Sequence, residues 1–96
     1  MSNFVFHDEA EVEVDAAYER YRRDNPEAAR RFIKALEAKI EFIRRFPLAG
    51  TRVDRIHRVV KTVKYPYEIY YRTRTSYVFI VAVAHEKREP GYWKRR

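Results

Sequence analysis

The beginning of the chain repeats apolar positions with the period of an α-helix. Apolar side chains recur at steps of three and four from Ala10 to Tyr21, and charged side chains occupy most positions between them. Asp8, followed by Glu11 three residues later, resembles a capping box, so we expect this helix to begin near Asp8, after a short strand over residues 4–7. The predicted apolar face comprises Ala10, Val14, Ala17, Tyr18 and Tyr21.

A second amphipathic helix is predicted directly after the first. Asn25 can cap its N-terminus, Pro26 suits its first turn, and the segment 46–50 (FPLAG) ends it. Because the link between the two helices is so short, we expect them to form an antiparallel hairpin. The apolar stripe of the second helix consists of Ala29, Phe32, Ile33, Leu36, Ile40 and Ile43.

The second half of the chain has the pattern of β-strands. Residues 77–84 (YVFIVAVA) are apolar on both faces, which predicts a central strand with the N-terminal strand as one neighbour. Residues 67–72 alternate well, whereas residues 56–65 are β-branched without clean alternation, which indicates an edge position or a bulge. We therefore predict a single α+β domain over residues 1–96, in the order β-α-α-β-β-β, with a helical hairpin packed on one face of an antiparallel sheet.

Composition excludes several classes of protein. The chain of 96 residues has no cysteine, and its three histidines are far apart in sequence, so no metal site or disulfide is expected. A glycine-rich phosphate loop and a serine nucleophile elbow are also missing, so we expect no cofactor. The N-terminus does not resemble a signal peptide and no apolar run could span a membrane, which favours a cytoplasmic protein.

The positive charge is concentrated in the second half. The net charge is +7; residues 1–48 carry nine Lys or Arg and ten Asp or Glu, and residues 49–96 carry twelve and four, which gives −1 and +8. Such asymmetry favours an anionic partner, which could be a nucleic acid, an anionic lipid surface or an acidic protein segment.

Basic and aromatic side chains are mixed on the predicted strands, and one histidine ends the central strand. RNA could be bound by such a set, although tyrosines also favour strands and cations protect sheet edges. His85 could act as a general acid or base, with Glu68 among the groups able to assist it, or could simply bind backbone groups. We interpret His7 and His57 as structural or solvated. The basic-aromatic set comprises Arg58, Lys61, Lys64, Arg72, Arg74, Tyr65, Tyr67, Tyr70 and Tyr71.

Three segments together resemble the RelE/ParE superfamily, the toxins of type II toxin–antitoxin modules. They are residues 45–50 (RFPLAG), 64–72 (KYPYEIYYR) and 81–90 (VAVAHEKREP), the last followed by Trp93. The resemblance covers essentially the whole chain. The paired tyrosines and the pattern His-x-x-Arg-x-Pro after the last strand are more similar to the ParE and plasmid-stabilisation branch than to RelE itself.

The resemblance implies a toxin that is neutralised by a small cognate antitoxin and that forms homo-oligomers only through the antitoxin complex. In the ParE branch the toxin inhibits DNA gyrase and catalyses no reaction of its own. The resemblance implies contacts with the target and with the antitoxin, and aromatic and arginine side chains tend to contribute most of the binding energy of an interface. Five residues are favoured for these contacts. These are Tyr70, Arg72, Arg88, Tyr92 and Trp93.

The RelE branch provides the alternative, a ribosome-dependent endoribonuclease that cleaves messenger RNA. The matching catalytic residues would be His85, Arg58, Lys61 and Tyr92. The sequence departs from that branch by placing Glu86 directly after His85. A third hypothesis, an inert or antitoxin-like assembly module, has less support from these motifs.

The end of the chain, residues 84–96 (AHEKREPGYWKRR), contains the only tryptophan. A turn at Pro90 and Gly91 would let Tyr92 and Trp93 fold back on the domain. We expect residues 94–96 to be frayed, and deletion from Glu86 onward to remove toxicity before it removes the fold.

Overall fold

Two helices and five strands are formed by residues 3–96, the part of the chain that the computed structural model describes. The order matches the predicted α+β order, with one additional strand of two residues before the second predicted strand. The elements are β1 (Asn3–Phe6), α1 (Asp8–Asp24), α2 (Pro26–Arg45), β2 (Thr51–Arg52), β3 (Arg58–Lys61), β4 (Tyr67–Thr73) and β5 (Tyr77–His85).

Both helices begin where the sequence predicts, but one of them uses a different cap. The first helix starts at Asp8, yet its N-cap is His7, whose Nδ1 accepts a hydrogen bond of 3.0 Å from the Glu9 amide. The predicted cap at Asp8 is therefore wrong. The N-cap position belongs to His7, and its imidazole accepts the hydrogen bond from the first turn. Asn25 caps the second helix as predicted, accepting from the Glu27 amide at 2.9 Å.

The five strands form one mixed sheet in the order β1-β5-β4-β3-β2. The strand β5 has β1 on one side and β4 on the other, so its predicted internal position is confirmed. The β1 strand, however, pairs with β5 in parallel, and the prediction of a wholly antiparallel sheet is wrong. The tight turns between β3, β4 and β5 require antiparallel pairing, whereas the long connection from β1 to β5 does not.

The strand predicted over residues 56–65 is much shorter in the structure. Only Arg58–Lys61 is a strand, because Lys64 adopts a positive φ of 72° and the Thr62 hydroxyl donates to the carbonyl groups of Tyr65 and Tyr67. These contacts form a turn where the sequence predicts more strand. The expected irregularity lies instead in the β4–β5 ladder, next to Tyr70, and β2 occupies the sheet edge.

The main core lies between the helical hairpin and one face of the sheet, which we call the helix face. Phe32 from α2 is fully buried there, as are Ile69 and Tyr71 on β4. The Tyr71 hydroxyl donates to the Pro47 carbonyl at 2.8 Å and accepts from the Gly50 amide at 3.0 Å. A Cβ at Gly50 would lie 2.5 Å from that hydroxyl oxygen, so the loop after α2 depends on the absence of a side chain at this position.

Candidate functional site

The segment after β5, residues 86–96, folds back over the other face of the sheet, which we call the outer face. Gly91 supplies a positive φ of 75° in the turn. Trp93 is only 2% exposed, and its ring lies 4.4 Å from that of Tyr70 and 4.7 Å from that of His57, measured between centroids. The predicted fold-back is confirmed, and the tryptophan forms the centre of a second, smaller core with Val81 and Ala82 beneath it.

A buried polar network supports Trp93 from the side. The His57 Nδ1 lies 3.0 Å from Asp54 carboxylate oxygens, and its Nε2 lies 3.0 Å from Arg72 Nη1. Since a guanidinium can only donate, we assign Nε2 as the acceptor and Nδ1 as the protonated nitrogen. The Arg72 Nη2 also donates to the Arg96 main-chain oxygen at 3.1 Å. His57 is thus a structural residue, as predicted.

Burial and hydrogen bonding act on this network in opposite directions. Burial disfavours the charged form of Asp54, but the amides of Ile56 and His57 and the imidazole donate to its carboxylate, and together they lower its pKa to about 2. Burial also lowers the pKa of Arg72, whose guanidinium lies 4.8 Å from the centroid of the Phe79 ring. Arg72 therefore has a structural role, because it links His57 to the main chain of Arg96. Its Nε is buried without a hydrogen-bond partner in this structure.

A carboxylate of α1 closes the part of β5 that β1 leaves uncovered. The β1 ladder ends at the pair Phe6 and Ile80, so the following β5 groups on that side need other partners. The Val83 amide donates to Glu13 at 2.9 Å, and Arg96 donates to both Glu13 oxygens at 3.0 and 2.9 Å and to the Val81 carbonyl at 3.1 Å. The prediction that residues 94–96 are frayed is wrong for Arg96, because this ion pair holds its side chain.

The predicted histidine lies in a shallow cleft of about 120 Å³ between α1 and the end of β5, which we call the histidine cleft. The His85 Nδ1 accepts from the Lys87 amide at 3.1 Å, so its other ring nitrogen carries the proton when the ring is neutral. The Arg88 guanidinium lies 3.8 Å from the centroid of the Tyr92 ring. Arg20, which sequence reasoning did not select, also lines the cleft and donates to the Tyr67 hydroxyl at 3.1 Å.

The four residues of the predicted ribonuclease set do not meet. Arg58 lies opposite Tyr71, which pairs with Ile80, so it is about 16 Å from His85 along the strand direction at ~3.3 Å per residue. Its Nη1 donates to the Gly50 carbonyl at 2.9 Å. Lys61 lies beside Glu68 on the outer face, with 3.8 Å between Nζ and Oε2. Only His85 and Tyr92 share the histidine cleft.

The Tyr92 hydroxyl is poorly suited to act as a proton donor in catalysis, because its pKa is raised. Burial and its hydrogen bond of 2.6 Å to Glu13 Oε2 raise its pKa well above the usual value. Burial and a hydrogen bond to Glu68 likewise raise the pKa of Tyr70 to about 12. Both hydroxyls therefore serve as donors to carboxylates at neutral pH.

The five residues predicted to contact a partner are brought together on the outer face, but they differ in accessibility. Arg88 has a side chain that is 49% exposed, whereas Trp93 is almost fully buried and Tyr70 and Arg72 are partly buried. Sequence reasoning missed Glu13 and Arg96. Glu13 is the one acidic residue among the apolar positions of α1 that face β5, and this was a signal in the sequence. Its partner, Arg96, could not be identified without the fold.

An apolar groove of about 410 Å³ lies on the other side of the molecule, between β1 and the helices. The strand β1 forms one edge of the sheet, and Phe4 on it is 44% exposed. Glu37 and Glu41 provide the polar part of the groove lining. Its apolar lining consists of Phe4, Phe6, Val14, Ile33, Leu36 and Ile40.

Residues 3–96 contain neither a metal-binding cluster nor a helix that could span a membrane. No group of three or more His, Asp or Glu side chains is placed to hold a metal ion in this part of the chain. Neither of the two described helices is long and apolar enough to cross a membrane.

The fold and these surfaces define a small α+β domain that combines a helical hairpin, a mixed sheet and a C-terminal segment folded across the outer face. The family model of the ParE toxin of type II toxin–antitoxin systems, parDE, matches residues 4–90. The chain therefore belongs to the ParE toxin family. No curated protein matches the sequence significantly.

A solved structure supports the fold assignment. The chain is similar to a structure described as the chromosomal ParDE TA system from P. aeruginosa, with a TM-score of 0.75 and 17% identity. The match covers 88% of this chain and 96% of the other. At this identity the likeness shows a shared fold.

Proposed function

We propose that this ParE-family toxin consists of one domain, acts in the cytoplasm, inhibits DNA gyrase by binding it, and is neutralised by a cognate antitoxin. The observation that carries the choice of binding over catalysis is the separation of the predicted catalytic residues. Cleavage of RNA by its 2′-hydroxyl needs a base, an acid and cations around one phosphate. Here Arg58 is about 16 Å from His85 along the strand direction at ~3.3 Å per residue, and Lys61 lies on the outer face, whereas His85 pairs with Tyr67 of the helix face.

The antitoxin segment has a suitable place in the apolar groove. An exposed sheet edge accepts an extended segment, and a groove lined by apolar side chains accepts one face of a helix. Both features occur together at β1, where Phe4 is exposed. We propose that the antitoxin occupies this groove and that homo-oligomers of the toxin arise only through that complex.

A matched pair of substitutions tests the groove. Phe4→Glu places a charge on it, whereas Phe46→Glu alters a side chain of similar exposure, 54% against 44%, after α2. We expect the first to weaken antitoxin binding by about tenfold or more and the second to change it little. Equal effects of the two substitutions would show that the antitoxin binds elsewhere.

One specific observation favours the ribonuclease alternative. His85 shares its cleft with two arginines, Arg20 and Arg88, and cations beside an imidazole are suited to phosphate chemistry. The remaining groups would then have to come from the ribosome or the RNA. Under this alternative Arg58 and Lys61 have no direct role.

Two assays separate the target hypotheses. Purified toxin is added to gyrase on relaxed plasmid, and transcripts on ribosomes are mapped after induction of the toxin in cells. We expect supercoiling to be lost while transcripts remain whole, and His85→Ala to retain the inhibition. Cut transcripts that disappear with a folded His85→Ala variant, together with unaffected gyrase, would contradict the proposal and support the alternative.

A further inference from the structure

A basic cleft of about 200 Å³ lies beside the edge strand β2, at the opposite edge of the sheet from the apolar groove. We call it the arginine cleft. The loop after α2, the strand β2 and the turn before β3 contribute its lining. Six of the lining residues are Leu48, Arg52, Asp54, Arg55, Ile56 and Arg58.

The three arginines of this cleft lack carboxylate partners within residues 3–96. None of them lies within 4.0 Å of an acidic oxygen there, in contrast to several other arginines of the chain. Arg52 donates to the Arg55 carbonyl at 3.3 Å, and Arg58 donates to the Gly50 carbonyl at 2.9 Å. Asp54 is already engaged by the amides of residues 56 and 57 and by the His57 ring. The cleft therefore carries positive charge that is not balanced internally.

Two aliphatic side chains border these arginines and are unusually open. Leu48 is 69% exposed and Ile56 is 62% exposed. Single apolar residues on a surface are common, but two beside an unbalanced basic cleft match a partner with both apolar and acidic side chains. Single-stranded nucleic acids are usually held by base stacking on aromatic side chains; no Phe, Tyr or Trp side chain lines the cleft, and the His57 ring in its lining is only 3% exposed.

We propose that the arginine cleft binds an acidic, aliphatic polypeptide segment of the enzyme that this toxin inhibits. The carboxylates of that segment pair with Arg52 and Arg55, and its aliphatic side chains cover Leu48 and Ile56. The outer side of β2 carries no strand within the described chain, so its main-chain groups are available to an extended segment as well. This inference rests on the proposed function as an inhibitor of a protein target.

The position of the cleft is compatible with neutralisation by an antitoxin in the apolar groove. The two sites lie at opposite edges of a sheet of five strands, about 19 Å apart at ~4.8 Å between neighbouring strands. An extended segment of about six residues covers that distance at ~3.3 Å per residue. Because both faces of the sheet are covered, the path over the surface is longer, and an antitoxin bound at β1 needs more than six residues to cover the arginine cleft as well.

The first experiment measures inhibition of gyrase supercoiling by variants of the full chain. The double variant Arg52→Glu/Arg55→Glu reverses two charges of the cleft, and Arg23→Glu/Arg31→Glu makes the same change in net charge on exposed helix positions. We expect the cleft variant to need about tenfold more protein or more for half inhibition, and the control less than about threefold more. Circular dichroism verifies the fold, and Arg52→Gln/Arg55→Gln is used if charge reversal unfolds the chain.

The second experiment does not depend on gyrase. A short labelled peptide with leucines spaced among glutamates is titrated into wild type, into both double variants and against its glutamine counterpart. A labelled single-stranded DNA is titrated in parallel. We expect the acidic peptide to bind wild type and the Arg23/Arg31 control, to shift amide signals of residues 48–58 in NMR spectra, and to lose affinity for the cleft variant.

The outcomes separate this inference from the proposed function. Equal gyrase inhibition by wild type and the cleft variant overturns the inference and leaves the proposed function intact. If wild type does not inhibit gyrase, the proposed target is wrong, and the peptide titration alone decides the cleft. Peptide binding that charge reversal leaves unchanged, or DNA binding at the cleft in place of peptide binding, overturns the inference.

Discussion

The two faces of the sheet are buried by different means. The helix face is covered by two long helices, and its core is built from many apolar side chains that contact one another. The outer face is covered by residues 86–96 together with His57 from the turn before β3, and Trp93 is the buried centre of its small apolar cluster. Directed polar contacts complete it, namely the Glu13–Arg96 pair and the network of Asp54, His57 and Arg72.

This difference indicates how each face should respond to change. Apolar contacts are numerous and not strongly directional, so a helix-face substitution costs stability in proportion to the volume removed. Buried polar contacts are few and directional, so removal of one partner leaves another unsatisfied. The outer face should therefore be more sensitive to charge and pH, and the helix face to side-chain size.

The largest effect is expected on the helix face. Phe32→Ala removes a fully buried ring that lies within 5.5 Å of the Tyr21, Tyr65 and Tyr67 rings. We expect the free energy of unfolding to fall by about 4 kcal/mol in urea denaturation. Phe42→Ala, on the exposed side of the same helix, should cost less than about 1 kcal/mol. Similar losses for both substitutions would contradict the assigned helix face.

The next effect concerns the tryptophan of the outer face. Trp93→Ala should lower the free energy of unfolding by about 3 kcal/mol, because the ring fills the space between Tyr70, His57 and the sheet. Circular dichroism is the suitable probe, since the variant has no tryptophan fluorescence. Trp93→Phe should recover part of the loss.

Deletion from Glu86 onward should accordingly cost stability as well as toxicity, and a fully stable truncated chain would show that the segment is dispensable for the fold.

A smaller loss is expected when the ion pair is broken. Glu13→Gln keeps the shape of the side chain but leaves the Arg96 guanidinium, 15% exposed, without its carboxylate. We expect a loss of about 2 kcal/mol, measured by thermal or urea unfolding. Glu11→Gln on the exposed side of the same helix serves as the control, with a change below about 0.5 kcal/mol. If both substitutions are neutral, Glu13 does not hold the segment.

The smallest effect is a dependence on pH. Hydrogen bonds lower the folded-state pKa of Asp54 from 3.8 to about 2 against the opposing effect of burial, so its ionised form favours folding. This contribution is complete above about pH 4 and is lost as the pH falls towards 2; for a partly exposed group we expect about 1 kcal/mol. The stability difference between wild type and Asp54→Asn should therefore shrink over this range. A difference that stays constant down to about pH 2 would exclude Asp54 as the cause.

The successful sequence predictions rest on local patterns. The spacing of apolar residues over 26–45 sets the buried stripe of α2, and the Asn25-Pro26 pair fixes its start. Strand β5 was recognisable because both of its faces are buried, which leaves a continuous apolar run. One wrong prediction arose where two neighbouring residues could each play the same structural role. At the first helix, His7 and Asp8 can each cap, and only the backbone conformation of residue 7 decides between them.

The candidate sites show the same division. His85 and Trp93 could be selected from the sequence because of their residue types and their place after the last strand. The separation of His85 from Arg58 could not, since it depends on which strand residues are paired and on a register shift next to Tyr70. The arginine cleft was also hidden, because its lining comes from a loop, a two-residue strand and a turn.

The sequence by itself determined the two helices, the internal strand β5, the charge of the second half and the family resemblance, because each depends on the spacing or type of neighbouring residues. The tertiary structure alone decided the parallel pairing of β1, the contact of Glu13 with Arg96, and the distance between the candidate catalytic residues. These features join residues that are far apart in the chain. Their energies depend on packing and burial, which have no counterpart in a local pattern.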